Sequence, residues 1–224
     1  MLLTIPGLLN RAQIDKIRQL LQDAAFVDGR LSAGFAAARV KDNLEMRPDP
    51  ERMRLLVRII VASLGHNETF RFGVLPHRVA DPIFARYEPG MTYGDHVDDP
   101  IMGASGPRFR TDVSMTIFLN GPESYDGGEL VVRTSFGEQR VKLAAGHAVV
   151  YPSSSLHQVA PVTRGERLVA LTWVQSYVRD PDRRELLYEL NLARERLLSD
   201  APGTETTGYV DRSYANLLRM WAEL

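Results

Sequence analysis

The chain has 224 residues, 44% hydrophobic and 25% charged, with a formal net charge of −1 and no cysteine. This fits one globular domain, or a core domain with helical additions, and excludes disulfides, thiolate zinc sites, iron–sulfur clusters and a cysteine nucleophile. The charge balance gives no broad attraction to nucleic acid or to an anionic membrane.

Leu2 to Ile5 reads as a short strand ended by Pro6-Gly7. This apolar N-terminus is short and lacks a basic region, so a signal peptide is not expected. No apolar run reaches the about 18 residues of a membrane-spanning helix, and the cytoplasm is the default compartment. Asn10 can cap a helix to about Ala24, with Ile14, Ile17, Leu20 and Leu21 as its apolar stripe. Asp28 to Arg47 reads as extended or looped. Asp49-Pro50 then opens a second helix, buried through Met53, Leu56, Val57, Ile60 and Leu64 and stopped near Gly65.

From about Phe70 the pattern changes to short β segments separated by turn residues. Asp112 to Leu119 alternates, with Val113, Met115, Ile117 and Leu119 on one face and Ser114, Thr116 and Phe118 on the other. Further strands are expected near Pro82–Tyr87, Tyr93–Asp98, Glu129–Arg133, Gln139–Leu143, Ala148–Tyr151, His157–Pro161 and Leu168–Tyr177. Strands at this spacing indicate an antiparallel sandwich or barrel. Asp180-Pro181 starts another helix, with Leu186, Leu190, Ala193 and Leu197 at helical spacing. Ala201 to Tyr209 reads as a polar loop, before a last helix with Tyr214, Leu217, Leu218 and Trp221. These stripes pack on the sheet or, alternatively, join subunits into a homo-oligomer. The chain is thus mainly β with flanking helices: a helix-and-strand support region over residues 1–79, a β core over 80–178 and a helical extension over 179–224.

His96-x-Asp98 places an imidazole and a carboxylate on one face of a strand, where the side-chain period is two. The pair alone is weak and incomplete. His157, 59 residues after Asp98, follows the Pro152-Ser153-Ser154-Ser155 turn and can return beside His96. Two histidines and one aspartate with open coordination positions form the ligand set of non-haem Fe(II) oxygenases. Arg167, ten residues after His157, is a fixed cation able to grip a carboxylate cosubstrate, or to pair with Glu166 at the surface. His66, His77 and His147 lack an acidic partner at ligand spacing, and Asp95 reads as a solvated acid. The Asp98–Thr111 stretch, with Arg108 and Arg110, is either a mobile entrance loop or an ordinary connection.

The pattern Arg86-Tyr87…Gly90…Tyr93…His96-x-Asp98, Gly127-Gly128-Glu129-Leu130, Tyr151-Pro152-Ser153-Ser154…His157-x-Val159…Pro161-Val162…Gly165-x-Arg167 resembles the Fe(II)/2-oxoglutarate dioxygenases related to the prolyl 4-hydroxylase alpha subunit. More narrowly it resembles the bacterial PKHD-type hydroxylases, some associated with iron uptake. The likeness extends over essentially the whole chain. It implies a double-stranded β-helix (jelly-roll) core flanked by helices. It also implies Fe(II) at His96, Asp98 and His157, and 2-oxoglutarate with its distal carboxylate on Arg167. Tyr87 is expected to line the cosubstrate pocket, and Tyr93 to face the pocket or the substrate mouth. Some relatives place a tyrosine where this chain has Phe118; that hydrogen bond is absent here or comes from Thr116. O2 is the co-reactant, ascorbate a candidate reductant, and the substrate an unidentified small molecule or peptide. A non-oxidative cupin-like metal enzyme and a ligand-responsive binding module without turnover are the competing readings.

Overall fold

A computed structural model describes residues 1–103 and 106–224. Two antiparallel sheets face each other. The larger runs, edge to edge, through Leu3–Ile5, Ala148–Pro152, Val113–Phe118, Arg167–Ser176, Ile83–Tyr87, Leu44–Met46 and Phe26–Asp28, with Pro76–Val79 also paired to Arg167–Ser176. The smaller runs through Gly137–Val141, Leu130–Thr134, His157–Val159, Thr92–His96 and Lys41–Asp42. This is the expected jelly-roll core. Residues 41–46 feed both sheets, joining Thr92–His96 through Lys41–Asp42 and Ile83–Tyr87 through Leu44–Met46. Among the described residues, no helix is long and apolar enough to cross a membrane.

Alternation divides the core into two layers. Val113, Met115 and Ile117 face outward from the larger sheet and pack with Ile14, Ile17, Leu56, Ile60 and Leu64. Those partners lie on α1 (Arg11–Gln22) and α2 (Pro50–His66). Each such aliphatic side chain contributes roughly 1.5–3 kcal/mol on burial. Asn10 and Gln13 form a reciprocal capping box on α1, and Asp49 accepts the Arg52 N–H at the start of α2. Phe118 and Val149 point the other way and pack between the sheets with Leu130, Val132 and Val159.

Three local expectations need correction. After the second helix, strand structure resumes at Pro76, not near Phe70. Glu68–Val74 is helix α3, because Asn67 caps it and Phe70 and Val74, four apart, share its buried face. On α4 (Pro181–Asp200) the inward residues are Arg184, Leu187 and Asn191, while Leu186 and Ala193 are exposed. The phase is set by Arg184, which donates to the Val178 and Arg179 carbonyls at 2.7 Å each. Helix α5 (Glu205–Trp221) begins inside the expected polar loop. Thr204 caps it, and buried Thr207 donates to the Ala201 carbonyl. Leu187 and Tyr214 form a separate cluster with Leu75 and Val178, with Leu217, Leu218 and Trp221 against it.

Candidate metal centre and cosubstrate cavity

His96 ends its strand and His157 begins the neighbouring one, and the two are direct register partners. Asp98 lies just beyond the strand end, yet its carboxylate still converges on both rings. Asp98 Oδ1 is 3.8 Å from His96 Nε2 and 3.9 Å from His157 Nε2, and one ligand atom from each of the three residues lies within 4.8 Å of the others.

The surroundings orient all three groups. His96 Nδ1 faces the Gly94 carbonyl at 2.8 Å and His157 Nδ1 faces the Ser155 carbonyl at 3.0 Å. Each Nδ1–H donates there, which turns both Nε2 lone pairs toward Asp98 Oδ1. The other carboxylate oxygen, Asp98 Oδ2, accepts from Ser114 Oγ and from Trp173 Nε1 at 2.9 Å. Burial, and secondarily the neighbouring His157, hold the His96 imidazole well below its ordinary pKa. The ring is therefore neutral, as metal ligation requires. Two neutral imidazoles, one carboxylate and open space fit a divalent ion with exchangeable positions.

The same cavity, about 560 Å³ in volume, is lined by the triad and by Arg167, Tyr87, Thr116 and Tyr151. Arg167 starts its strand opposite Tyr87 and is 0% exposed. Among the described residues none of its three guanidinium nitrogens has a hydrogen-bond partner within normal geometry, and the neutral Tyr125 hydroxyl is its polar neighbour. Its cation lies 5.0 Å from the Tyr87 ring centroid and 5.7 Å from that of Phe118. The surface-pair alternative fails, because Glu166 pairs instead with Arg86 at 3.1 Å. A buried charge without a counter-charge is costly, so Arg167 fits an anionic group entering beside the triad. Gly128 makes room for it. With φ +66°, it is in the left-handed region, and a Cβ there would lie 3.0 Å from Arg167 Cδ. This gives the Gly127-Gly128 pair a packing reason.

Burial pushes the Tyr87 hydroxyl up to about 12 against the opposing pull of Arg167. Tyr93 and Tyr151 are raised as well, by burial first and by Asp98 next. All three remain neutral donors. Thr116 is buried and lines the cavity, as does Tyr93. Asp95 is not merely solvated: both its oxygens pair with Arg133, at 3.1 and 2.9 Å. In the Asp98–Thr111 stretch, Ile101–Met102 and Phe109–Arg110 form a short hairpin. Arg110 is bound to Asp112 and Glu223, whereas Arg108 lines the cavity. Residues 104–105 of that loop lie outside the described residues.

Sequence reading assigned no role to Ser114, Trp173, Tyr151, Lys41 or Glu45. Ser114 shares a strand face with Thr116, and Trp173 is six residues beyond Arg167, so strand parity could have found both. Tyr151 meets His157 edge to face at 5.0 Å between ring centroids. Only the fold reveals that neighbour.

The His-Asp-His cluster, the cavity beside it and the jelly-roll agree with the 2OG-Fe(II) oxygenase superfamily, whose family model matches residues 82–175. A second model, the PKHD-type hydroxylase C-terminal domain, matches residues 182–223. The chain is 57% identical over 224 residues to a PKHD-type hydroxylase of Thioalkalivibrio sulfidiphilus, covering 100% of both chains. It is 46% identical over 227 residues to a PKHD-type hydroxylase of Paracoccus denitrificans, again covering 100% of both. It therefore belongs to the PKHD-type hydroxylase family and is an enzyme of the Fe(II)/2-oxoglutarate-dependent class. That sets aside the non-oxidative and non-catalytic readings. A Pseudomonas putida prolyl-4-hydroxylase structure has the same fold, with a TM-score of 0.54 at 23% identity over 78% of this chain and 92% of that one.

Proposed function

We propose that His96, Asp98 and His157 hold Fe(II) and that Arg167 pairs with the distal carboxylate of 2-oxoglutarate in the same cavity. The net reaction is R–H + 2-oxoglutarate + O2 → R–OH + succinate + CO2. The carrying observation is Arg167, fully buried and, among the described residues, without a hydrogen-bond partner of normal geometry for its guanidinium. Iron would supply the oxygen activation that couples decarboxylation of the cosubstrate to oxidation of the substrate. The chain's own part is geometric and electrostatic. The Gly94 and Ser155 carbonyls fix the imidazole tautomers, and Ser114 and Trp173 fix the Asp98 carboxylate. Tyr87 and Thr116 offer neutral hydroxyls along the cosubstrate wall, and the inter-sheet apolar layer keeps bulk water from Arg167.

In this reading residues 80–178 are the catalytic unit, 1–79 its support and 179–224 its helical extension. The substrate is a small molecule or peptide, ascorbate is the reductant that keeps iron ferrous, and the setting is cytoplasmic and tied to iron supply. An untargeted metabolite comparison between iron-limited cells with and without the active enzyme would identify the oxidised product. The central test is succinate formation from 2-oxoglutarate with Fe(II). His96→Ala and Asp98→Ala should abolish it, and wild-type rates in either variant would remove the assignment.

A further inference from the structure

Lys41 and Glu45 form an ion pair that the metal triad and cosubstrate leave unexplained. Lys41 Nζ is 2.5 Å from Glu45 Oε1, with side chains only 6% and 7% exposed. Lys41 also donates to Ser32 Oγ at 3.0 Å. Burying two charges gains little over apolar side chains of the same volume, so stability alone does not account for the pair. Its location is more informative. Lys41 is the register partner of Tyr93 on the adjoining strand, and its ammonium lies 5.2 Å from the Tyr93 ring centroid. The Tyr93 ring in turn stacks on His96, with centroids 3.6 Å apart and planes 10° from parallel.

That stack depends on an irregularity. Tyr93 and His96 are three apart, so in a regular strand they would point to opposite faces. Here Tyr93 pairs with Val159 and His96 with His157, three residues against two. The extra residue is a bulge, which re-aims a side chain. It brings both rings to the cavity side. Gly94 lies within it, and a Cβ there would approach Val40 Cβ at 3.0 Å.

We propose that Lys41, anchored by Glu45 and Ser32, and Tyr93 are positioning residues that hold the plane of the His96 imidazole and thereby set the geometry of the metal site. The Gly94 carbonyl fixes the edge of the ring; the Tyr93 face, backed by the ammonium, fixes its tilt. Cation–π attraction to a desolvated ammonium supports such a stack. The inference rests on His96, Asp98 and His157 being the metal ligands.

Co(II) serves as the probe, because its binding and visible d–d spectrum report ligand geometry without turnover. Lys41→Met and Tyr93→Leu should each weaken Co(II) affinity by about tenfold, as loss of groups behind a metal ligand does, and should shift the d–d bands. Lys41→Arg and Tyr93→Phe, which keep the cation and the ring, should restore both affinity and spectrum. Thermal unfolding identifies which variants fold; if Lys41→Met does not, the Tyr93→Leu and Tyr93→Phe pair decides. Folded Lys41→Met or Tyr93→Leu protein with wild-type Co(II) affinity and bands would overturn the inference. His157→Ala separates the two levels. If it too binds Co(II) like wild type, the triad assignment itself has failed; if it alone loses Co(II), only the positioning role has.

Discussion

Two arginines are buried among the described residues, and their surroundings are opposite. Arg184, on α4 where the helical extension meets the sheet, is 4% exposed and gives its protons to the Val178 and Arg179 carbonyls. Arg167, between the sheets, is 0% exposed, and among the described residues its guanidinium makes no ion pair or geometrically sound hydrogen bond, with only the neutral Tyr125 hydroxyl as a polar neighbour. Both pay the desolvation cost of a guanidinium, and only one is compensated by the fold. A buried cation whose partners are backbone carbonyls is part of the architecture. One facing a cavity without such partners has the surroundings that the proposed cosubstrate carboxylate would complete.

The largest expected effect comes from Arg167→Met. Loss of a buried partner to a carboxylate should weaken 2-oxoglutarate binding by about 3 kcal/mol, or more than a hundredfold. Without 2-oxoglutarate the same variant should be more stable than wild type by about 1 kcal/mol, since an uncompensated buried charge is gone. Isothermal titration and thermal unfolding read the two changes, and equal 2-oxoglutarate affinity in both proteins would end the comparison. Arg184→Met should do the reverse. Leaving the Val178 and Arg179 carbonyls unpaired should cost roughly 3 kcal/mol of stability, with the 2-oxoglutarate dissociation constant unchanged. Saturating wild-type protein at about 100 times that constant should add about 2.7 kcal/mol of stability. The increment should persist in Arg184→Met and fall to about 0.3 kcal/mol in Arg167→Met.

A smaller change sharpens the triad side of the contrast. Ser114→Ala removes one of two donors to Asp98 Oδ2 and leaves Trp173 in place. Metal affinity should fall about tenfold, the low end for groups that support a metal ligand. A metal titration giving an unchanged constant would mean Trp173 alone orients the carboxylate.

What the sequence could show follows from the range of each interaction. The alternation over 113–119 fixed both faces of a central strand, because a two-residue period is local. The convergence of His96, Asp98 and His157 and the nearness of Arg167 were legible because their residue types are chemically restrictive and their spacing allows neighbouring strands. Helix α3 was not, since seven residues from Glu68 to Val74 carry too few turns for a stripe, and its signal was the Asn67 cap. The phase of α4 was hidden because a polar residue, Arg184, occupies the buried face. The Lys41–Tyr93–His96 contact could not be read at all. It joins strands far apart in sequence and requires a bulge that reverses the local parity.

Thr116 poses the finest test of the cosubstrate wall. Phe118 lies in the inter-sheet layer near Arg167 and has no hydroxyl to offer a carboxylate. Two residues earlier on the same strand face, Thr116 lines the cavity with a hydroxyl. Thr116→Val keeps the shape and removes only that group. If the hydroxyl bonds the cosubstrate, affinity for 2-oxoglutarate should fall about fivefold, near 1 kcal/mol for one hydrogen bond, with metal affinity unaltered. Binding within error of wild type would leave Arg167 and Tyr87 as the wall's polar contacts. A combined Thr116→Val and Arg167→Met protein then measures their coupling. Losses smaller than the sum would place both groups on the same carboxylate, and simple additivity would place them on separate parts of the cosubstrate.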